Sequence, residues 1–347
     1  MIAPEPFGTL ADGRQALLYR LDGGAVRVEL TDYGGRIVAI AAPARRGTCG
    51  NIVLGFDSAA RYEAAGGAFG ALLGRTANRI ARGELPIDGR LYRLPTNDRG
   101  ATLHGGPQGF DRRIWRVVRA TRDELALAYT SPDGEQGFPG ELNVEACYRL
   151  GGAVLSLELS AHTTAPTVAS LSAHPYFNLA GAAAGDILAH EVTIAADAFL
   201  AIDETEIPTG EIRPVAGTPF DFRRPTPIAA QIRRADHQLL NAQGYDHYYV
   251  LPPARRGSPR FAARVRDPAS GRTLEIHTTQ PGLQFYSGNQ LNGSVAGRGD
   301  LVYRQSAGFA FEPQGFPDAP HHPAFPSTVL RPGDRYREII EYRFGLE

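Results

Sequence analysis

Glycine and proline interrupt this sequence along its whole length, and this limits the folds that the chain can adopt. Among 347 residues there are 40 glycines and 26 prolines, and they are not gathered in one linker. Between them lie short runs in which apolar and polar residues alternate. Because the side chains of a strand point alternately to its two faces, this pattern predicts many strands joined by turns.

The alternation is clearest in residues 154–160, where every second residue from 155 to 159 is leucine and the residues between are polar. Helical candidates are limited to residues 58–65 and 227–240, the second of which begins with a proline suited to a first turn. We therefore predict an all-β fold, a large antiparallel β-sandwich with a few short helices, as one domain over residues 1–347. Further strands are predicted at residues 26–30, 191–194, 273–276 and 338–344.

Composition excludes several kinds of chemistry and partner. The chain has no lysine, so its 36 basic residues are all arginine, and Schiff-base, pyridoxal-phosphate and P-loop lysine chemistry is excluded. The formal net charge of -1 argues against a nucleic-acid partner or an anionic membrane partner. We find no apolar run that could span a membrane and no leader segment, so the expected location is cytoplasmic. The two cysteines suggest no disulfide framework.

Two distant segments offer groups that could move protons on and off a neutral substrate. His174 precedes Pro175 and two aromatic residues, and Glu312 follows the apolar run Phe309–Phe311. A histidine can give a proton near neutral pH and a carboxylate can take one. On a strand, Glu312 would lie on the face opposite the two phenylalanines, and Pro313 would end that strand. The structural alternatives are a core histidine beside a turn and a solvated edge glutamate.

Other polar side chains lie next to glycines or aromatic residues, as is typical of carbohydrate sites. Aromatic rings cover the C–H faces of a sugar, while carboxylates and amides bond to its hydroxyls. Each candidate also has a structural alternative, such as a turn residue or, for the arginine, a surface ion pair. No two histidines have the spacing of metal ligands, so we predict no metal site and no cofactor. The candidates are Asn78, Arg79, His104, Asp246 and Gln284.

Taken in order, seven segments of the chain resemble the aldose 1-epimerase (galactose mutarotase) family, and they extend from about residue 70 to 330. The resemblance implies a β-sandwich of the galactose mutarotase type and interconversion of the α and β anomers of free aldohexoses such as galactose and glucose. The segments are GRTANRI (74–80), TLHGGPQGF (102–110, with Trp115), DGEQGFPG (133–140), HPYFNL (174–179), YDHYYVL (245–251), QPGLQFYSGN (280–289) and FEPQGFPDAPHHPAFPS (311–327).

The same resemblance implies roles for individual residues. His174 is expected to be the general acid toward the ring oxygen, and Glu312 the general base toward the C1 hydroxyl. The partner is expected to be a small monosaccharide, with no cofactor, and the chain a monomer or homodimer. Departures from the family pattern occur at Leu171–Ala173 and in the Arg- and Pro-rich loop 251–260, neither at a catalytic position. The sugar-contacting set is expected to be Asn78, Arg79, His104, Tyr176, Asp246 and Gln284.

These roles lead to a pH expectation and leave two rivals open. If activity needs ionised Glu312 and protonated His174, the acid limb of kcat/KM belongs to Glu312 and the basic limb to His174. A hexose-6-phosphate 1-epimerase would need a positive cluster for the phosphate. A non-catalytic carbohydrate-binding protein would have no use for both His174 and Glu312.

Overall fold

The computed structural model describes residues 2–45, 47–253 and 257–347, and most of its regular structure is β-strand. Part of the Arg- and Pro-rich loop 251–260 lies outside the described residues. The strands are β1 (Glu5–Thr9), β2 (Gln15–Asp22), β3 (Arg27–Thr31), β4 (Ile37–Pro43), β5 (Cys49–Asn51), β6 (Leu72–Leu73), β7 (Arg79–Ile80), β8 (Glu84–Ile87), β9 (Arg90–Arg93), β10 (Thr102–Leu103), β11 (Arg116–Ala120), β12 (Glu124–Ser131), β13 (Leu142–Gly151), β14 (Val154–Thr163), β15 (Thr167–Val168), β16 (Ser172–Ala173), β17 (Glu191–Ile194), β18 (Ala198–Ile202), β19 (Pro208–Pro214), β20 (Thr226–Pro227), β21 (Asp246–Val250), β22 (Arg260–Arg266), β23 (Arg272–Thr278), β24 (Gly282–Tyr286), β25 (Ala310–Gln314), β26 (Val329–Leu330) and β27 (Tyr336–Leu346).

Two α-helices are present in the described residues, α1 (Ala59–Ala65) and α2 (His237–Ala242). Neither has the length or apolar character needed to span a bilayer. Short 3-10 turns lie at Ala81–Gly83, Phe110–Arg112, Glu135–Gly137, Ile228–Ala230, Arg298–Asp300 and Ala319–His321.

Three large sheets form the body of the described structure, and all ladders between their strands are antiparallel. The first is the N-terminal meander β1-β2-β3-β4-β5. The second has nine strands in the order β11-β12-β13-β14-β27-β23-β22-β17-β20, so that β27 lies between β14 and β23. The third has five strands in the order β19-β18-β21-β24-β25, which leaves β25 at an edge. Two-stranded pairs are β10-β7, β15-β26, β16-β6 and β8-β9.

One apolar core contains residues from all three large sheets. Val28 of β3, Leu157 of β14 and Phe285 of β24 are buried in the same cluster. On β14 the predicted leucine face is buried, while Glu158 on the other face is partly exposed. The prediction of an all-β fold built from antiparallel sheets is therefore confirmed. The shared core supports one domain over residues 1–347, which stays a prediction.

The five predicted strands and the first predicted helix are confirmed, with Ser58 capping α1 through its side chain. The helix predicted over residues 227–240 is wrong. Pro227 belongs to β20, a 3-10 turn follows, and α2 begins only after Asp236, whose carboxylate accepts a hydrogen bond from Gln238 N. An aspartate competes for backbone donors inside a helix but stabilises its N-terminus, and this explains the late start.

The predicted end of the strand at Pro313 is also wrong, because β25 continues to Gln314. A proline is tolerated there because β25 is an edge strand, so the missing N–H removes no hydrogen bond from a second neighbour. The carbonyl of Pro313 accepts a 2.8 Å hydrogen bond from Ser172 Oγ, which ties the edge strand to β16.

Leu157→Ala should destabilise the fold by about 2–5 kcal/mol, because it removes buried methyl groups from the centre of the shared core. Urea unfolding measures this loss as a lower midpoint. The matched control is Leu91→Ala in β9, where the leucine side chain is 48% exposed and Leu157 is 0% exposed. Equal midpoints for the two variants would contradict the shared core.

Candidate active site

A cleft of about 150 Å³ opens at the edge of the third sheet and brings together side chains that are far apart in the sequence. Seven of the eight predicted site residues line it, and Gln284 lies directly behind one of the seven, donating a 2.7 Å hydrogen bond to Asp246 Oδ1. The seven are Asn78, Arg79, His104, His174, Tyr176, Asp246 and Glu312.

The floor of the cleft comes from three neighbouring strands in register. Gln284 on β24 lies opposite Glu312 on β25, and Tyr286 lies opposite Asp246 on β21. Alternation sends Phe311 to the core and leaves Glu312 on the cleft face, as predicted. The glutamate side chain is only 3% exposed, so it is not a solvated edge residue.

One side of the cleft is built by the ribbon of β7 and β10. Asn78 N–H donates a 3.1 Å hydrogen bond to Nδ1 of His104, and His104 N–H donates to the carbonyl of Asn78. Both residues have left-handed backbones, with φ of 62° and 53°. The next residue must be glycine, because a Cβ on Gly105 would lie 1.9 Å from the carbonyl oxygen of Gly74. Since Nδ1 of His104 accepts, its neutral ring carries the proton on Nε2.

His174 leaves the end of β16 and is held by backbone bonds on both sides, its N–H donating to Ala71 and its carbonyl accepting from Gly70. Its Nε2 lies 3.3 Å from Glu312 Oε1. The ring packs on Tyr176 with centroids 4.6 Å apart. His174 is therefore a buried histidine, as the structural alternative required, but its polar edge faces the candidate base.

Arg79 matches both of its predicted roles, as a residue of the site and as a member of an ion pair. It makes ion pairs, with Nε 2.7 Å from Asp98 Oδ2 and Nη2 2.5 Å from Glu206 Oε2, yet it lines the cleft and is 4% exposed. A buried guanidinium held at two points is a rigid element rather than a mobile surface side chain.

Burial controls the protonation of the central pair. It lowers the pKa of His174 to about 4, and the charge of Arg36 acts in the same direction. Burial, followed by the charge of Asp246, raises the pKa of Glu312 well above 4.5. Burial therefore favours neutral imidazole and a protonated carboxyl, whereas the roles expected from the sequence use imidazolium and carboxylate during catalysis. Desolvation disfavours both charged forms more than their mutual attraction favours them.

The pKa values of two further groups in the cleft, His104 and Asp246, are also shifted. Burial, with the charges of His174 and Arg79, lowers the pKa of His104 well below its ordinary value, so this ring is neutral. Burial and then the charge of Glu206 raise the pKa of Asp246 to about 7, against the opposing effect of Arg79.

His104, His174 and Glu312 offer ligand atoms that all lie within 4.8 Å of one another, a spacing that could suit a metal ion. The hydrogen bonding of His104 argues against this use. Its Nδ1 already accepts a backbone hydrogen bond, so Nε2 carries a proton and can donate but cannot coordinate. The set instead offers a donor, a carboxyl and a titratable ring to a neutral ligand.

Among the titratable residues at the cleft, sequence reasoning missed Tyr286 and Glu206. Tyr286 lines it and follows Gln284 by two residues on the same strand, so the period of two could have found it. Glu206, which contacts Arg79 and Asp246, lies in the turn between β18 and β19, where no local pattern distinguishes it from its neighbour Glu204.

The sequence model described as "Aldose 1-epimerase" matches residues 18–343. The chain belongs to the aldose 1-epimerase family. It is 41% identical to the galactose mutarotases of Rattus norvegicus and Homo sapiens, over 98% of this chain and 97% of each relative. It is 37% identical to the aldose 1-epimerase of Escherichia coli K12, over 95% of both chains.

Solved structures of this family share the fold. An aldose epimerase homologue from C. elegans matches with a TM-score of 0.88 and 28% identity, covering 95% of this chain and 99% of that one. A galactose 1-epimerase from Lactobacillus acidophilus matches with a TM-score of 0.84 and 25% identity, covering 100% and 99%. The predicted β-sandwich of the galactose mutarotase type is thus confirmed.

Glu312→Gln should stabilise the folded chain at alkaline pH. The pKa of the Glu312 carboxyl is higher in the folded chain than its unfolded value of 4.5. Such a group does not change the free energy of unfolding below pH 4.5, and it lowers that free energy progressively as the pH rises toward the folded pKa. The amide removes this cost, so we expect little change in Tm at pH 4 and a rise of about 2 °C or more at pH 8.

Calorimetry at the two pH values measures this difference. Glu211→Gln, at an exposed position in β19, is the matched control and should change neither value. An unchanged Tm for Glu312→Gln at pH 8 would show that the carboxylate is solvated in the fold.

Proposed function

We propose that this protein is an isomerase that interconverts the α and β anomers of free aldohexoses by general acid–base catalysis. The observation that carries the proposal is the contact between His174 Nε2 and Glu312 Oε1, 3.3 Å, at the floor of a small cleft in a member of this family. A donor and an acceptor this close can act on two oxygens of one small substrate without a cofactor.

Opening the ring of a hemiacetal needs one proton removed from the C1 hydroxyl and one delivered to the ring oxygen. Glu312 as carboxylate would accept the first, and His174 as imidazolium would donate the second. Rotation about the C1–C2 bond then presents the other face of the carbonyl. Closure reverses both transfers, so the pair again holds one proton at the end of the cycle.

Burial keeps that proton on Glu312, and substrate binding supplies a reason for it to move. Glu312 Oε2 and His174 Nδ1 are buried without a hydrogen-bond partner in the described structure. A sugar hydroxyl that donates to Oε2 would favour the carboxylate and lower the pKa of Glu312. We therefore place the transfer to His174 after sugar enters.

The remaining residues would hold the sugar while C1 and the ring oxygen react. His104 offers its Nε2 proton to an oxygen of the sugar, and Arg79 offers guanidinium donors from a fixed position. Gln284 orients Asp246 through its amide. Tyr176 contributes an aromatic wall, and Asn78 fixes His104 through its backbone.

A hexose 6-phosphate fits this cleft less well than a free sugar does. Arg79, which lines the cleft, and Arg99 already pair with Asp98 and Glu206. Asp246 and Glu312 add acidic groups, so the described residues offer no unpaired positive cluster at the cleft for a phosphate. A purely sugar-binding role leaves the His174–Glu312 contact without a purpose. Cytoplasmic location and a monomeric or homodimeric state stay predictions from the sequence.

The first test follows freshly dissolved α-D-galactose and α-D-glucose by polarimetry at pH 7. The wild type should speed the approach to the unchanged equilibrium, and Glu312→Gln should reduce kcat/KM by at least about 10²-fold. Glu211→Gln serves as control and should match the wild type. Faster anomerisation of glucose 6-phosphate, without faster mutarotation of either free sugar, would favour the phosphate-sugar rival.

The pH profile tests the protonation of the pair. After subtraction of the spontaneous rate, kcat/KM should fall on the acid side with a midpoint near 4. There His174 is protonated while Glu312 is still protonated, so the pair holds two protons instead of one. On the basic side, kcat/KM should fall where Glu312 loses its proton, because the pair then holds none. An active His174→Asn variant should lose the acid limb. Loss of the basic limb instead would restore the assignment expected from the sequence.

A further inference from the structure

Glu206 lies against the cleft and contacts two of its proposed binding residues. It is in the turn between β18 and β19, with a left-handed backbone (φ 63°) and an exposed fraction of 4%. Its carboxyl reaches Arg79 Nη2 at 2.5 Å and makes a side-chain hydrogen bond with Asp246. A buried acid in a strained turn costs stability, so its contacts call for an explanation.

Four charged side chains close into a ring of ion pairs at this point. Arg79 contacts Asp98 at 2.7 Å and Glu206 at 2.5 Å. Arg99 contacts the same two carboxylates at 3.5 and 2.8 Å. Two guanidinium groups are thus matched by two carboxylates, and the ring has no charge left to neutralise a third acid.

Because the two guanidinium groups are matched by the carboxylates of Asp98 and Glu206, they also indicate whether Glu206 or Asp246 carries a proton. Each oxygen of Glu206 accepts from a guanidinium group, an arrangement that suits a carboxylate. Asp246 has only a neutral donor, the amide of Gln284 at 2.7 Å. Two ionised carboxylates in direct contact repel, so the proton lies on Asp246 and is donated to Glu206.

We propose that Glu206 is a positioning residue of the sugar site, which fixes Arg79 and holds Asp246 in its neutral form through a shared proton. The inference rests on the proposed function for its kinetic consequences but not for the protonation itself. A neutral Asp246 adds no negative charge beside Glu312, which must ionise during each cycle. The titratable and charged groups around Asp246 are Glu206, Arg79, Glu312, Tyr176, Tyr286 and His247.

The protonation can be measured without substrate, by 13C NMR titration of protein labelled at the aspartate carboxyl carbon. Asp246→Asn identifies the resonance by its disappearance. In the wild type this carboxyl should titrate near pH 7. In Glu206→Gln it should titrate at least about one pH unit lower, because Arg79 is then free to favour its carboxylate. Glu204→Gln, an exposed glutamate in the same turn, should leave it unchanged.

Polarimetry on the same proteins tests positioning. For galactose at pH 7, Glu206→Gln should raise KM about tenfold through the loosened Arg79 and Asp246. It should lower kcat by a smaller factor, because His174 and Glu312 keep their positions although Asp246 is then ionised beside Glu312. The wild-type KM should show a step near pH 7 that the variant lacks.

The outcomes separate the two proposals. An Asp246 resonance that titrates near its ordinary value of 3.8 in the wild type overturns the role of Glu206, even if Glu206→Gln does not fold. An identical titration in folded Glu206→Gln overturns it as well. A wild type without mutarotase activity overturns the proposed function. The NMR titration then still shows whether Asp246 and Glu206 share a proton.

Discussion

The register of β21, β24 and β25 is the constraint on which both the core and the cleft depend. Gln284 pairs with Glu312 on the cleft face, while Phe285 pairs with Phe311 on the core face. A slip by one residue would exchange the faces, placing a carboxyl in the core and aromatic rings in the cleft. Burial of the aromatic side chains of β24 and β25 in the core therefore also fixes the polar side chains in the cleft, because both sets belong to the same strands.

Desolvation has a greater influence on the chemistry of this site than the charges that surround it. A carboxyl lies 3.3 Å from His174, yet the pKa of this histidine is lowered because the buried imidazolium loses its hydration. Asp98 and Glu206, by contrast, each form ion pairs with both Arg79 and Arg99. In a chain without lysine, these partners are guanidinium groups that can each bond two carboxylates at fixed angles.

The sequence was sufficient for the fold class and for most of the polar residues that line the cleft, because both leave ordered local patterns. Alternating leucines marked β14, and short motifs marked His174 and Glu312. It was insufficient wherever the outcome depends on packing between distant segments. Glu206 reaches Arg79 across 127 positions of the chain, and no local feature records this contact. The protonation of His174 depends on burial, and the path of β25 past Pro313 depends on its position at a sheet edge.

The position of β27 has a consequence for how the protein is made. This strand joins β14 to β23 in the middle of the nine-stranded sheet, yet the ribosome synthesises it after every other strand described here. Until residues 336–346 leave the exit tunnel, the two halves of the sheet expose unpaired edges to solvent or to a chaperone. A premature stop codon that removes only this short segment would therefore release a chain divided at its centre, whereas the loss of β1 would remove one outer strand of a meander.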